Sequence, residues 1–99
     1  MVVAILALDL RLEGCRSLKE KRHLLRGLIE RSRRDFQVSI AEVGDQDLWG
    51  NAVVCASYSS NSSDHAHRVL DNVEHAFDTH PEIEVTSILR DLWRPGYLS

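Results

Sequence analysis

The densest run of potential chemistry is Ser17-Leu18-Lys19-Glu20-Lys21-Arg22, with Arg16 just before it and Arg26 and Arg33 beyond it. Ser17 is a good N-cap and Glu20 follows three residues later, which is the capping-box spacing. The segment therefore opens a helix, and amides at a helix N-terminus beside cationic side chains suit a phosphate. At 100° per residue the helix divides. Leu18, Leu24, Leu25, Leu28 and Ile29 share an apolar arc, and Lys19, Arg22, Arg26 and Arg33 share the opposite side. Lys21 falls in the middle of the apolar arc. Its stem is expected to lie along the core edge while its ammonium reaches water. The candidate anion-binding set is thus Arg16, Ser17, Lys19, Lys21, Arg22, Arg26 and Arg33. Cations on successive turns can track a polyanion backbone. No aromatics are interleaved, so this chemistry reads charge and shape, not bases. The plain alternative is a solvated charged face.

Other candidate sets are weaker. His67, Asp71 and His75 are spaced i, i+4, i+8 on a predicted helix, a stripe that can ligate a metal. Asp64, Glu74 and Asp78 share that side, so a solvated acidic face is the better reading and no metal is expected. Asp45 and Asp47 resemble the start of a cation loop, but the calcium pattern is not completed, and a turn with local hydrogen bonds fits better. Cys15 and Cys55 have neither CxxC nor zinc spacing and read as packed thiols. No activated nucleophile or carboxylate pair emerges, and no enzyme activity or cofactor is expected.

The elements that position these residues are legible from periodicity. Val2–Leu12 alternates, with Val2, Ala4, Leu6, Leu8, Leu10 and Leu12 on one face and Val3, Ile5, Ala7, Asp9 and Arg11 on the other. The first helix is expected over Leu18–Asp35, a second strand over Phe36–Val43 and a third over Ala52–Tyr58. The turn-rich Gly44–Asn51 segment joins the last two as a hairpin. Ser59–Ser63 offers N-caps for a second helix, in which Ala66, Val69, Leu70, Val73, Ala76 and Phe77 recur at i, i+3, i+4, i+7. His80-Pro81 ends it, and Ile83–Leu92 is the fourth strand. The order βαββαβ predicts an α+β, ferredoxin-like domain over residues 1–93: a four-stranded antiparallel sheet with two helices on one face and a tail at 94–99. Val3, Ile5 and Ala7 on the uncovered face, with Trp49 in the hairpin loop, are expected to form an interface in a homodimer.

The 99-residue chain suits a single domain, and its 43% hydrophobic and 27% charged composition is that of a globular protein. No apolar run is long enough to span a membrane and no signal-peptide pattern is present, so a cytoplasmic protein without a membrane partner is expected. The net charge of −3 argues against indiscriminate nucleic-acid binding. Its distribution is uneven: residues 1–35 carry nine Lys/Arg against five Asp/Glu, and residues 36–99 carry three against ten. One end of the molecule is therefore attractive to anions.

Two stretches carry a resemblance. Ser17–Arg22 together with Ser39-Ile40-Ala41-Glu42-Val43-Gly44-Asp45-Gln46-Asp47-Leu48-Trp49 resembles the YlxP-like family of small bacterial proteins of unknown function. The likeness covers roughly Val2 to Ile88. It implies a ferredoxin-like fold, and the family's gene neighbourhood implies work around the ribosome or RNA. Acylphosphatases share the topology, but their glycine-rich phosphate loop has no counterpart in Leu12–Ser17. The expected function is a non-enzymatic RNA- or ribosome-associated protein. The alternatives are a module docking an acidic protein, and a small enzyme acting on a phosphoryl ligand.

Overall fold

In a computed structural model describing residues 1–96, six elements follow in the expected order. They are β1 (Val2–Leu12), α1 (Leu18–Phe36), β2 (Ser39–Gly44), β3 (Asn51–Ser60), α2 (Ser63–Asp78) and β4 (Ile83–Trp93). The strands form one antiparallel sheet in the order β2-β3-β1-β4. This is the ferredoxin-like arrangement. Of the expected tail, residues 97–99 lie outside the described residues.

Alternation in β1 dictates the layering. Val2, Ala4, Leu6, Leu8, Leu10 and Leu12 are all buried beneath the helices, whereas Val3, Ile5 and Ala7 are half-buried on the other face. Ala52, Val54 and Ala56 of β3 and Ile40 of β2 continue the buried layer. Ala66, Leu70, Val73 and Phe77 of α2 close over it as one clean stripe. From α1 the buried stripe is Lys21, Leu25, Leu28 and Ser32, with Leu24 and Ile29 at its margin. Lys21 thus stands in the apolar arc as expected, and Ser32 joins it there as a second polar residue.

The second strand begins later than expected, at Ser39. The helix runs on through Phe36, which packs against the core, and stops at Gln37. Gln37 adopts φ 56°, ψ 34°, and its N–H donates to Arg33 O at 3.0 Å. A left-handed cap normally announces itself as glycine; here a glutamine takes that conformation, so the boundary left no sequence signal. Strand β2 is then bent by a bulge between Glu42 and Gly44. Gly44 lies so close to Val53 that an added Cβ would sit 3.2 Å from its side chain.

The strained cap yields a stability prediction. Gln37→Gly removes the left-handed penalty of a residue bearing a Cβ, offset in part by a looser unfolded chain. The expected net gain is about 0.5–1 kcal/mol, read as a rise of a few degrees in Tm by calorimetry.

Candidate functional site

The N-terminus of α1 is already filled from within. Ser17 Oγ accepts the Glu20 N–H at 3.1 Å, and Glu20 Oε2 accepts the Arg16 N–H at 2.6 Å. The Glu20 carboxylate thus supplies the negative charge that the helix end favours. Sequence spacing pointed to a phosphate here; the reciprocal cap instead occupies the helix end from within the chain.

Lys21 departs furthest from expectation. Its side chain is 1% exposed, and the ammonium does not reach water. Nζ donates to Asp45 O at 2.6 Å and to Leu48 O at 2.5 Å, and lies 2.8 Å from Glu42 Oε2. The carboxylate approach is off the hydrogen-bonding direction, so it acts as an ionic contact. An ammonium has three donors and no acceptor, and three oxygens surround this one. Lys21 is therefore withdrawn from the anion-binding set: burial is tolerable because a full set of oxygens waits for it inside. Asp45 adopts φ 58°, and its carbonyl also accepts the Leu48 N–H at 3.0 Å. The tight turn thus aims its carbonyls at the lysine.

The flank of α1 is different. Lys19, Arg22 and Arg26 are exposed, and among the described residues their side chains make no ion pair or hydrogen bond. Arg22 and Arg26 form a ridge between two shallow grooves. One, about 280 Å³, is lined by Lys19, Arg22, His23 and Arg26. The other, about 350 Å³, runs between α1 and β2 and adds Arg33, Glu30 and Glu42. Arg33 is partly committed, since its Nη2 donates to Ile40 O at 2.7 Å. That bond fixes the guanidinium at the groove edge. Arg31 and Arg34 both pair with Asp35.

The remaining candidates are apart from this face. Val3, Ile5 and Ala7 lie on the uncovered side of the sheet beside Cys55 and Ser57 of β3 and Leu89 and Asp91 of β4. Trp49 is 51% exposed in the loop that Lys21 holds. The His67, Asp71, His75 stripe is broken by a partner that periodicity did not reveal. Arg90 of β4 donates to Asp71 Oδ1 at 2.7 Å and to Glu74 Oε1 at 3.2 Å. Burial and the nearby carboxylates of Glu20 and Glu82 push the Cys15 thiol up, which makes it a poor nucleophile. Among the described residues no three His, Cys, Asp or Glu side chains converge as metal ligands, and no helix is long and apolar enough to cross a membrane.

The junction at Lys21 joins both stretches that carry the family resemblance, because Lys21 comes from the first and Glu42, Asp45 and Leu48 from the second. Comparison with known sequences agrees. A model described as "Protein of unknown function (DUF503)" matches residues 3–90. This chain belongs to that family. It is 39% identical over 77 residues to the uncharacterized protein YlxP of Bacillus subtilis (strain 168), covering 78% of this chain and 83% of that protein. Among solved structures, a de novo designed protein with a ferredoxin fold superposes with a TM-score of 0.54 at 10% identity, covering 97% of this chain and 88% of the designed one. Rv0793 from Mycobacterium tuberculosis gives 0.51 at 18% identity, covering 96% and 95%. At such identities these two matches speak to the fold alone.

Two outcomes test the site geometry. Lys21→Met keeps the stem and leaves a largely buried carboxylate and two carbonyls without their cation. It should cost about 3–5 kcal/mol in urea unfolding, and in a Trp93→Phe background the Trp49 emission should report release of the loop before the global transition. Native protein at pH 8 should react with a thiol reagent at Cys55 well before Cys15, and unfolding in urea should erase the difference.

Proposed function

We propose that this DUF503 family member is a non-enzymatic binding protein whose α1 flank contacts the phosphate backbone of RNA, free or within the ribosome. One observation carries the reading. Lys21, Arg31, Arg34, Arg11 and Arg90 are each neutralised by a carboxylate, whereas Lys19, Arg22 and Arg26 stand together, exposed and without an acidic partner. Cations that serve only the fold or solubility gain from local pairing, and a cluster left unpaired on an otherwise acidic protein holds a positive potential for an external anion. Arg16 lies at the same end of the helix, and Arg33 is pre-oriented by Ile40 O. Ridge geometry favours a backbone that lies along the helix over a small ligand, which would need an enclosed pocket. Neither central strand presents a stacking platform, so sequence selectivity is expected to be low. The shallow, arginine-lined grooves and the raised thiol of Cys15 support binding over catalysis.

Docking to an acidic protein is the second reading, favoured by the same unpaired cations. The test separates the two. Arg22→Glu with Arg26→Glu should abolish co-sedimentation with ribosomes or RNA while circular dichroism stays native. For the parent chain, log K should fall with log salt by about 0.7 per single-strand phosphate contact, and single Arg→Ala variants should each flatten that slope by about one contact. Binding that survives the double reversal sinks the proposal. Capture that survives nuclease transfers it to the protein reading.

A further inference from the structure

The two edges of the sheet are treated differently. Backbone groups of alternate residues point to opposite sides of a strand. Leu12 N–H donates towards the β3 side, to Gly50 O, so even residues of β1 face β3 and odd ones face β4. Through the register, Leu89, Asp91 and Trp93 turn their amides inward to Ala7, Ile5 and Val3. Ile88, Arg90 and Leu92 turn theirs outward.

At the β2 edge the outward carbonyls are occupied. Arg33 Nη2 donates to Ile40 O, and Gln46 Nε2 donates to Glu42 O at 3.2 Å. At the β4 edge the Ile83 N–H donates to His80 O at 3.2 Å and the Leu92 N–H to Asp91 Oδ1 at 2.8 Å. Among the described residues the outward groups of Ile88 and Arg90 make no hydrogen bond. They are flanked by Ile88, 51% exposed, and Leu89, 59% exposed. An open edge bordered by exposed apolar side chains is a template for strand pairing.

We infer that a second copy of this chain adds to this edge, with the two β4 strands antiparallel about a two-fold axis at Leu89. Each Ile88 then exchanges both backbone hydrogen bonds with Arg90 of the other copy, so the outward N–H groups of both residues find acceptors. Leu89 meets its own copy on the uncovered face, Ser87 stands opposite Asp91, and no like charges face each other. Centring on Arg90 would instead oppose two arginines and require the Leu92 N–H that Asp91 holds. The partner is a second copy because the pairing is self-complementary, and it stops at two because Arg33 and Gln46 block β4 from adding to a β2 edge. The α1 helices would lie at the far ends of one continuous eight-stranded sheet, leaving both basic flanks open. The strand contact is short, so dimerisation should depend on concentration.

Sedimentation equilibrium tests this. The parent chain should shift from monomer to dimer mass as concentration rises. Ile88→Pro, which removes an outward N–H and no ladder bond, should stay monomeric with a native dichroism spectrum. Cys55→Glu, on the uncovered face away from the edge, should dimerise like the parent. In a Cys55→Ser background, Leu89→Cys should cross-link to a disulfide dimer when diamide accepts the two electrons, since facing residues of such a pair have Cα atoms about 4.5 Å apart. If Ile88→Pro fails to fold, the cross-link decides. A monomer at every concentration, a dimer that survives Ile88→Pro, a dimer lost with Cys55→Glu as sheet faces packing together would require, or an absent cross-link each overturns the inference.

Discussion

The Lys21 ammonium lies inside the domain between α1 and the loop that follows β2. It touches Asp45 O, Leu48 O and the Glu42 carboxylate. A buried unpaired cation is prohibitive, so this charge forces the loop to stay and present its oxygens. The loop in turn needs Asp45 in a left-handed conformation, and Glu42 points towards the helix because strand alternation places it on the same face as buried Ile40, just before the bulge. One lysine therefore fixes how the first helix, the second strand and the hairpin loop meet. It also ties together Ser17–Arg22 and Ser39–Trp49, two stretches far apart in the chain. They are the two halves of one electrostatic joint.

That joint sorts the cations of α1. A helix this basic would repel itself if all its charges faced one way. Instead Lys21 is neutralised inward, Arg31 and Arg34 share Asp35, and Arg33 caps a strand carbonyl. What remains for solvent is a narrow ridge centred on Arg22 and Arg26. Glu20 closes the helix end, so the attractive surface is the flank of the helix and not its tip. The exposed, unpaired cations thus form an elongated ridge along the helix and not a pocket at its end. The same arginine that steadies the groove, Arg33, also closes the β2 edge. Charge placement and control of strand pairing are therefore coupled in this fold, and at the opposite edge Ile88 and Arg90 keep their outward groups free between the held amides of Ile83 and Leu92.

Much of this was legible in the chain. Period-two alternation in β1 and the clean stripe of α2 fix a sheet with helices on one side, because each pattern can bury its apolar set in only one way. Ser17 and Glu20 fix the start of α1 by local hydrogen bonding alone. Lys21 stood out in the helical projection as a charge within the apolar arc, but its destination depended on carbonyls more than twenty residues away that have no side-chain signature. Arg90 was invisible for the same reason: its partners Asp71 and Glu74 lie on another element, and together they undo the apparent His67, Asp71, His75 stripe. The start of β2 was missed, at Ser39 instead of Phe36, because Gln37 adopts a backbone shape that glycine usually advertises.

The sequence by itself determined the elements, their order, the buried faces and the basic character of α1, since those follow from local periodicity and capping. Only the tertiary structure decided which cations are structural, which stay exposed and unpaired, and which sheet edge is closed. Those outcomes rest on long-range pairing between side chains and backbone oxygens, and a backbone oxygen acquires its direction only when the chain is folded.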